Sequence, residues 1–145
     1  MAGPDRVLPA LPGIAARRAG WALSGLFVAF MVLDGGMKLV PLQPVTDTMA
    51  ALGWPTDPSL LRTLGFVQLA ATALYAWPRT APLGAILVTA YLGGAIATHL
   101  RIGSPLPSHT LFGVYVGLIA WAGLWLRDPR LRALLPVHLP ASRLP

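Results

Sequence analysis

Asp34 and Lys38 stand four residues apart in the stretch MVLDGGMKLV, at the end of an apolar run. An acid and a base at that spacing share one helix face and can pair. Five further polar residues belong with them: Arg62, Gln68, His99, Arg101 and His109. Lysine and arginine offer donors to a carbonyl or an anion, and histidine exchanges protons near neutral pH. Together they define a candidate polar pocket. Asp34, His99 and His109 are also metal-ligand types, but no HxxxH or HExxH spacing groups them, so no metal is assigned. A bis-imidazole haem site would need His99 and His109 rings facing each other at one depth. The chain has no cysteine, which removes thiol chemistry and disulfides. No nucleophile or cofactor motif is recognisable, so no catalytic residue is named.

The elements that must position these groups are four apolar runs. The 145 residues are 55% hydrophobic and only 11% charged, with a mean hydropathy of +0.65. Soluble domains carry roughly 25% charged residues, so this surface is too poor in charge to face water. The runs span about 21–40, 59–77, 82–101 and 110–126. Each approaches the roughly 20 residues that cross a hydrocarbon core. Prolines at 41, 44, 55, 58, 78, 105 and 107 separate them, where they break helices rather than kink them. The expected fold is all-α, an integral membrane four-helix bundle. One domain over 19–135 lies between a loosely ordered segment 1–18 and a tail 136–145. Residues 42–58 form either a short helix lying on the membrane, with Met49, Leu52 and Trp54 dipping into the interface, or a plain loop. Arg17, Arg18 and the run behind them resemble a signal peptide, but no small-x-small cleavage site follows, so an uncleaved first helix is expected.

A net charge of +6 raises the question of nucleic acid. The arginines are scattered between apolar runs without a basic, aromatic-interleaved stripe, which excludes that partner. They read instead as an orientation signal. Placing the N-terminus inside puts Arg6, Arg17, Arg18, Arg79, Arg127, Arg130, Arg132 and Arg143 on the cytoplasmic side and leaves Lys38, Arg62 and Arg101 outside. Trp21, Trp77 and Trp125 then form an inner aromatic belt. On this reading the acid–base cluster gathers near the outer interface, with Gln68 about two turns below Arg62.

Ionisable groups inside a membrane are costly and usually face the bundle interior. Asp34 is too short to reach headgroups, so it is expected to pair with a base from another helix, Arg62 or His99, while Lys38 reaches outward. Gly113 and Gly117 form a GxxxG motif, and Ala90, Gly94 and Thr98 a small-xxx-small stripe, both read as helix-packing faces. The packing is either internal to the bundle or between copies of the chain in a homo-oligomer.

Three segments carry a resemblance: GGMKLV closing the first run, the stretch from LGWPTDPSLLR through YLGGAIATHLRIGSP, and GLWLRDPRLRALLP after the fourth. Over about residues 20–136 the chain resembles the DoxX-like family of small bacterial membrane proteins. That resemblance implies a four-helix integral membrane bundle in the bacterial inner membrane. It implies less about activity, because some relatives are described as subunits of quinone-linked or thiosulfate-oxidising complexes and others as partners in oxidative-stress assemblies. The expectation is an accessory or partner-binding subunit rather than an enzyme, with quinone or lipid as the ligand types to consider. The alternative is an intramembrane enzyme or carrier for a small lipophilic substrate, using the outer polar pocket with His99 as proton donor or acceptor.

The charge asymmetry generates a first prediction. Periplasm-active reporters fused to either terminus should be silent, and the same reporters inserted after Thr56 or Ser104 should be active; the reverse pattern would overturn the orientation.

Overall fold

The computed structural model describes residues 13–134, and no strand occurs among them. Six α-helices follow in order: α1 (Ile14–Leu39), α2 (Gln43–Ala51), α3 (Pro58–Ala76), α4 (Ala81–Arg101), α5 (Phe112–Arg127) and α6 (Pro129–Leu134), with a π-helical turn at Leu106–Thr110. Helix α1 begins seven residues before the expected 21, so residues 14–18 belong to it rather than to a loose N-terminal segment. Ile-Ala-Ala-Arg-Arg-Ala contains no breaker and several strong helix formers. The expectations for residues 1–12, Arg143 and the rest of the tail 136–145 fall outside the described residues.

The prolines act as starters more than as stops. Pro44, Pro58 and Pro82 occupy the first or second position of α2, α3 and α4, where the missing N–H would have no partner anyway. Asp57 caps α3 by accepting a hydrogen bond from the Leu60 amide at 3.3 Å. The Ser59 hydroxyl also donates to this carboxylate and holds its pKa below the ordinary value.

Helix α1 packs against α3 and α5, and α4 packs against the same two. The four long helices thus form a closed circuit of neighbours. Their shared core contains Phe27, Met31, Tyr75, Val88, Val116 and Leu124. Large apolar side chains also cover the outside, among them Leu26, Leu33, Phe66, Leu83, Ile86 and Leu118. Three segments are long and apolar enough to cross a membrane: Ile14–Leu39, Ala81–Arg101 and Leu106–Arg127. Helix α3, the second expected run, is less apolar because it carries Arg62, Gln68 and Thr72. Of these, Gln68 and Thr72 are buried, so its polarity is directed inward while Phe66 and Val67 remain exposed.

The helices approach most closely where Arg127 and Tyr75 sit. A Cβ on Gly84 would fall 2.1 Å from the Tyr75 backbone nitrogen, and one on Gly20 would fall 2.7 Å from the Arg127 nitrogen. Only glycine permits those contacts. The packing faces read from the sequence divide differently. A Cβ on Gly113 would meet Ile96 Cγ1 at 2.8 Å, one on Gly117 would touch only Leu92 Cδ1 at 3.7 Å, and one on Gly94 would meet nothing within 4 Å. Gly113 therefore sits tightly on α4, whereas the Gly94 stripe faces open space.

This contrast is testable. Gly84→Ala forces two backbones apart and should cost about 3 kcal/mol, seen as a lower Tm of the detergent-solubilised protein. Gly94→Ala should leave Tm unchanged or raise it slightly, since alanine suits a helix interior better than glycine.

Candidate functional site

The polar residues of α1 and α3 meet in one network. The Lys38 ammonium pairs with Asp34 Oδ2 and donates to Gln68 Oε1 at 3.0 Å. Gln68 Nε2 in turn donates to Asp34 Oδ2 at 2.8 Å and to the Met31 carbonyl at 3.0 Å. Gln68 is fully buried, and Lys38 and Asp34 are 14% and 36% exposed. This replaces the expected pairing of Asp34 with Arg62 or His99. Lys38 turns inward because it lies one helical turn from Asp34 and needs no other helix to reach it. Gly65 of α3 lies against the Gly35 carbonyl of α1, and the resulting close approach brings Gln68 within reach of both charges.

Arg62 is exposed and outside the network. Arg101 is exposed as well, and its Nη2 donates to the Leu52 carbonyl at 2.7 Å, tying the end of α4 to the end of α2. The two histidines come together. Their ring centroids are 5.8 Å apart at an interplanar angle of 60°, tilted rather than facing as a bis-imidazole haem site needs. Ser104 Oγ lies 3.0 Å from His99 Nδ1 and Ser108 Oγ lies 2.8 Å from His109 Nδ1, so each ring has its Nδ1 engaged and its Nε2 free of those contacts. The π-helical turn positions His109: the Thr110 and Leu111 amides bond five residues back, to the Pro105 and Leu106 carbonyls. Such turns occur often at functional sites. Among the described residues no three of His, Cys, Asp and Glu group together as metal ligands.

Between these groups lies a cavity of about 540 Å³. Asp34 and Lys38 form part of one wall, and His99 and His109 lie on another. Gln68, Arg62 and Arg101 do not line it; Gln68 stands behind Asp34. The remaining wall is mostly apolar or aromatic and includes Phe30, Leu64, Tyr91, Ile96, Phe112 and Val116. The small stripe Ala90, Gly94 and Thr98 lines the cavity instead of packing on a helix. Helix α2 covers it with Val45, Thr48 and Met49, followed by Leu52 and Trp54. Val45 and Met49 are buried against Leu61 of α3, so α2 is a helix as one sequence reading had it, with Met49 directed into protein.

Of the seven polar residues named from the sequence, Asp34, Lys38, His99 and His109 line this cavity and Arg62, Gln68 and Arg101 do not. Its apolar body is absent from the sequence reading. The three internal methionines, Met31, Met37 and Met49, all line it, and that shared destination was a usable signal. Methionine is flexible and polarizable and recurs on surfaces that accept varied ligands. Arg127, an orientation charge by the sequence pattern, has a further place in the structure. It is 7% exposed, lies over the rings of Trp21 and Tyr75 at 4.5 and 5.0 Å, and donates to the Tyr75 carbonyl at 3.0 Å.

The described molecule is thus an all-helical protein with membrane-length apolar helices and a mostly apolar cavity bordered by the Asp34–Lys38 pair and the two histidines. The profile of the DoxX-like family matches residues 22–123, most of the chain. The chain belongs to the DoxX-like family. No curated protein and no solved structure matches it.

The network predicts a non-additive response. Asp34 is partly exposed, so Asp34→Ala should cost about 2 kcal/mol, between the exposed and buried ion-pair ranges. Asp34→Ala combined with Lys38→Met should recover at least half of that loss in Tm or denaturant midpoint. Additive losses would show that the two side chains stabilise the fold independently.

Proposed function

We propose that this DoxX-like protein is a multi-pass protein of the bacterial inner membrane whose outer-side cavity holds a small lipophilic molecule with a polar head. The four long helices would all span the bilayer, with both termini cytoplasmic. The inward polarity and outward Phe66 and Val67 of α3 support its inclusion as the fourth span. The observation that carries the binding reading is the 540 Å³ cavity, mostly apolar with polar groups at its margins. Its volume falls in the range of small-molecule sites, which are largely apolar with a few placed polar groups.

Binding could serve either expected role. A carrier or enzyme would use the free edges of His99 and His109 beside the ligand for proton exchange. An accessory subunit would hold a quinone or lipid for a redox or oxidative-stress partner. The subunit reading draws on family resemblance, whereas the cavity belongs to this chain, so ligand binding is the reading advanced.

Gly94 supplies the test, because it lines the cavity and has open space around it. Wild-type protein purified in native-lipid nanodiscs should carry a stoichiometric lipophile by native mass spectrometry. Gly94→Phe should lose it while keeping its Tm within a few degrees. A wild-type protein that is empty under these conditions, or a Gly94→Phe variant that retains its ligand, would overturn the reading.

A further inference from the structure

The charge state of the cavity wall narrows what it can accept. Asp34 and Lys38 form the only ion pair among the described residues, and both line the cavity. Their charges cancel in place. Neither Arg62 nor Arg101 contributes to the wall; Arg101 is turned to the Leu52 carbonyl. A lysine ammonium has three N–H donors. One goes to Asp34 and one to Gln68, which leaves a third without a protein partner among the described residues. The carboxylate is engaged through one oxygen: Asp34 Oδ2 accepts from both Lys38 and Gln68, and Oδ1 has no hydrogen bond among the described residues.

Resting on the ligand-binding reading above, we propose that the cavity selects an uncharged lipophile whose carbonyl accepts a hydrogen bond from Lys38, and discriminates against carboxylate-bearing lipids such as fatty acids. A neutral carbonyl takes the spare donor and leaves the pair intact. A ligand carboxylate at the same place would sit beside Asp34 with one ammonium between two negative charges, in surroundings that screen poorly. It would have to break the Asp34–Lys38 pair or carry its own proton. Methionine, phenylalanine and tryptophan side chains around the site suit a flat ring as the lipophilic body, through sulfur–aromatic and ring–ring contacts.

Three probes of one shape separate the possibilities: 2-acetylnaphthalene, 2-naphthoate and naphthalene. Binding is read by isothermal titration and Trp54 quenching in nanodiscs at pH 8, against empty nanodiscs and a Trp54→Phe control. The wild type should bind 2-acetylnaphthalene at least about tenfold more tightly than 2-naphthoate, a gap of about 1.4 kcal/mol. It should also bind it more tightly than naphthalene. Asp34→Asn keeps the shape of the side chain and frees the lysine charge, so it should shift preference toward 2-naphthoate by about tenfold or more. Equal or tighter binding of 2-naphthoate by the wild type would overturn the neutral-carbonyl proposal while leaving the cavity reading standing. Equal binding of naphthalene would show that Lys38 makes no contact and would also overturn it. If none of the three probes binds, the ligand-binding reading itself fails. The wild-type comparison decides the matter even if Asp34→Asn does not fold.

Discussion

The fold depends on the requirement that polar groups buried among apolar helices find partners, and Tyr75 is where that requirement joins all four long helices. Its side chain is fully buried on α3. The hydroxyl lies 3.0 Å from Ser24 Oγ on α1 and donates to the Ala120 carbonyl on α5 at 2.8 Å. Its ring meets Phe27 edge-on at 4.7 Å, and its backbone is pressed against Gly84 of α4. Its carbonyl accepts from Arg127. That arginine lies at the C-terminus of α5 and bonds near the C-terminus of α3, where the partial negative charge of two helix ends favours a cation. Two aromatic faces flank it, while its buried Nε has no hydrogen-bond partner among the described residues. Such an arrangement gives a buried charge a structural role without an acidic partner.

Tight closure at that end has a consequence at the other. Glycine and alanine draw the helices together around Tyr75, with Gly20, Ala81, Gly84, Ala85, Ala120 and Gly123 at the contacts. Toward the other end of the helices the contacts regroup. Gly35 and Gly65 hold α1 to α3, while Gly113 holds α5 to α4. The two pairs leave a space between them, and that space is the cavity. Helix α2 spans it, held by Val45 and Met49 on Leu61 and by Arg101 on Leu52. Tight packing and the open cavity are thus divided along the length of the helices.

Much of this was legible in the sequence because the relevant signals are local. Run lengths and prolines locate the long helices to within a few residues at most ends, and the spacing of Asp34 and Lys38 puts them on one face. What escaped depends on which helices are neighbours and in what register. Gln68 and Asp34 are thirty-four residues apart, and nothing local says that a glycine contact brings them together. The Ala90–Gly94–Thr98 stripe has the composition of a packing face, and small residues line a cavity as readily as they admit a helix. Arg127 was hidden by its position, since an arginine at the end of an apolar run more often reaches for headgroups.

The same lysine therefore answers to both halves of the molecule. The Lys38 bond to Gln68 fastens α1 to α3, its bond to Asp34 stays within α1, and together they set its position on the cavity wall. A free lysine on four rotatable bonds would lose much side-chain entropy on gripping a ligand. Lys38 has already lost it through folding, so a bound carbonyl would meet a donor held in place. Asp34 has a parallel double duty, because it orients the ammonium and cancels its charge. If the proposed ligand binds there, stability and selectivity would share these atoms, and any change of ligand preference at this wall would change how α1 sits on α3.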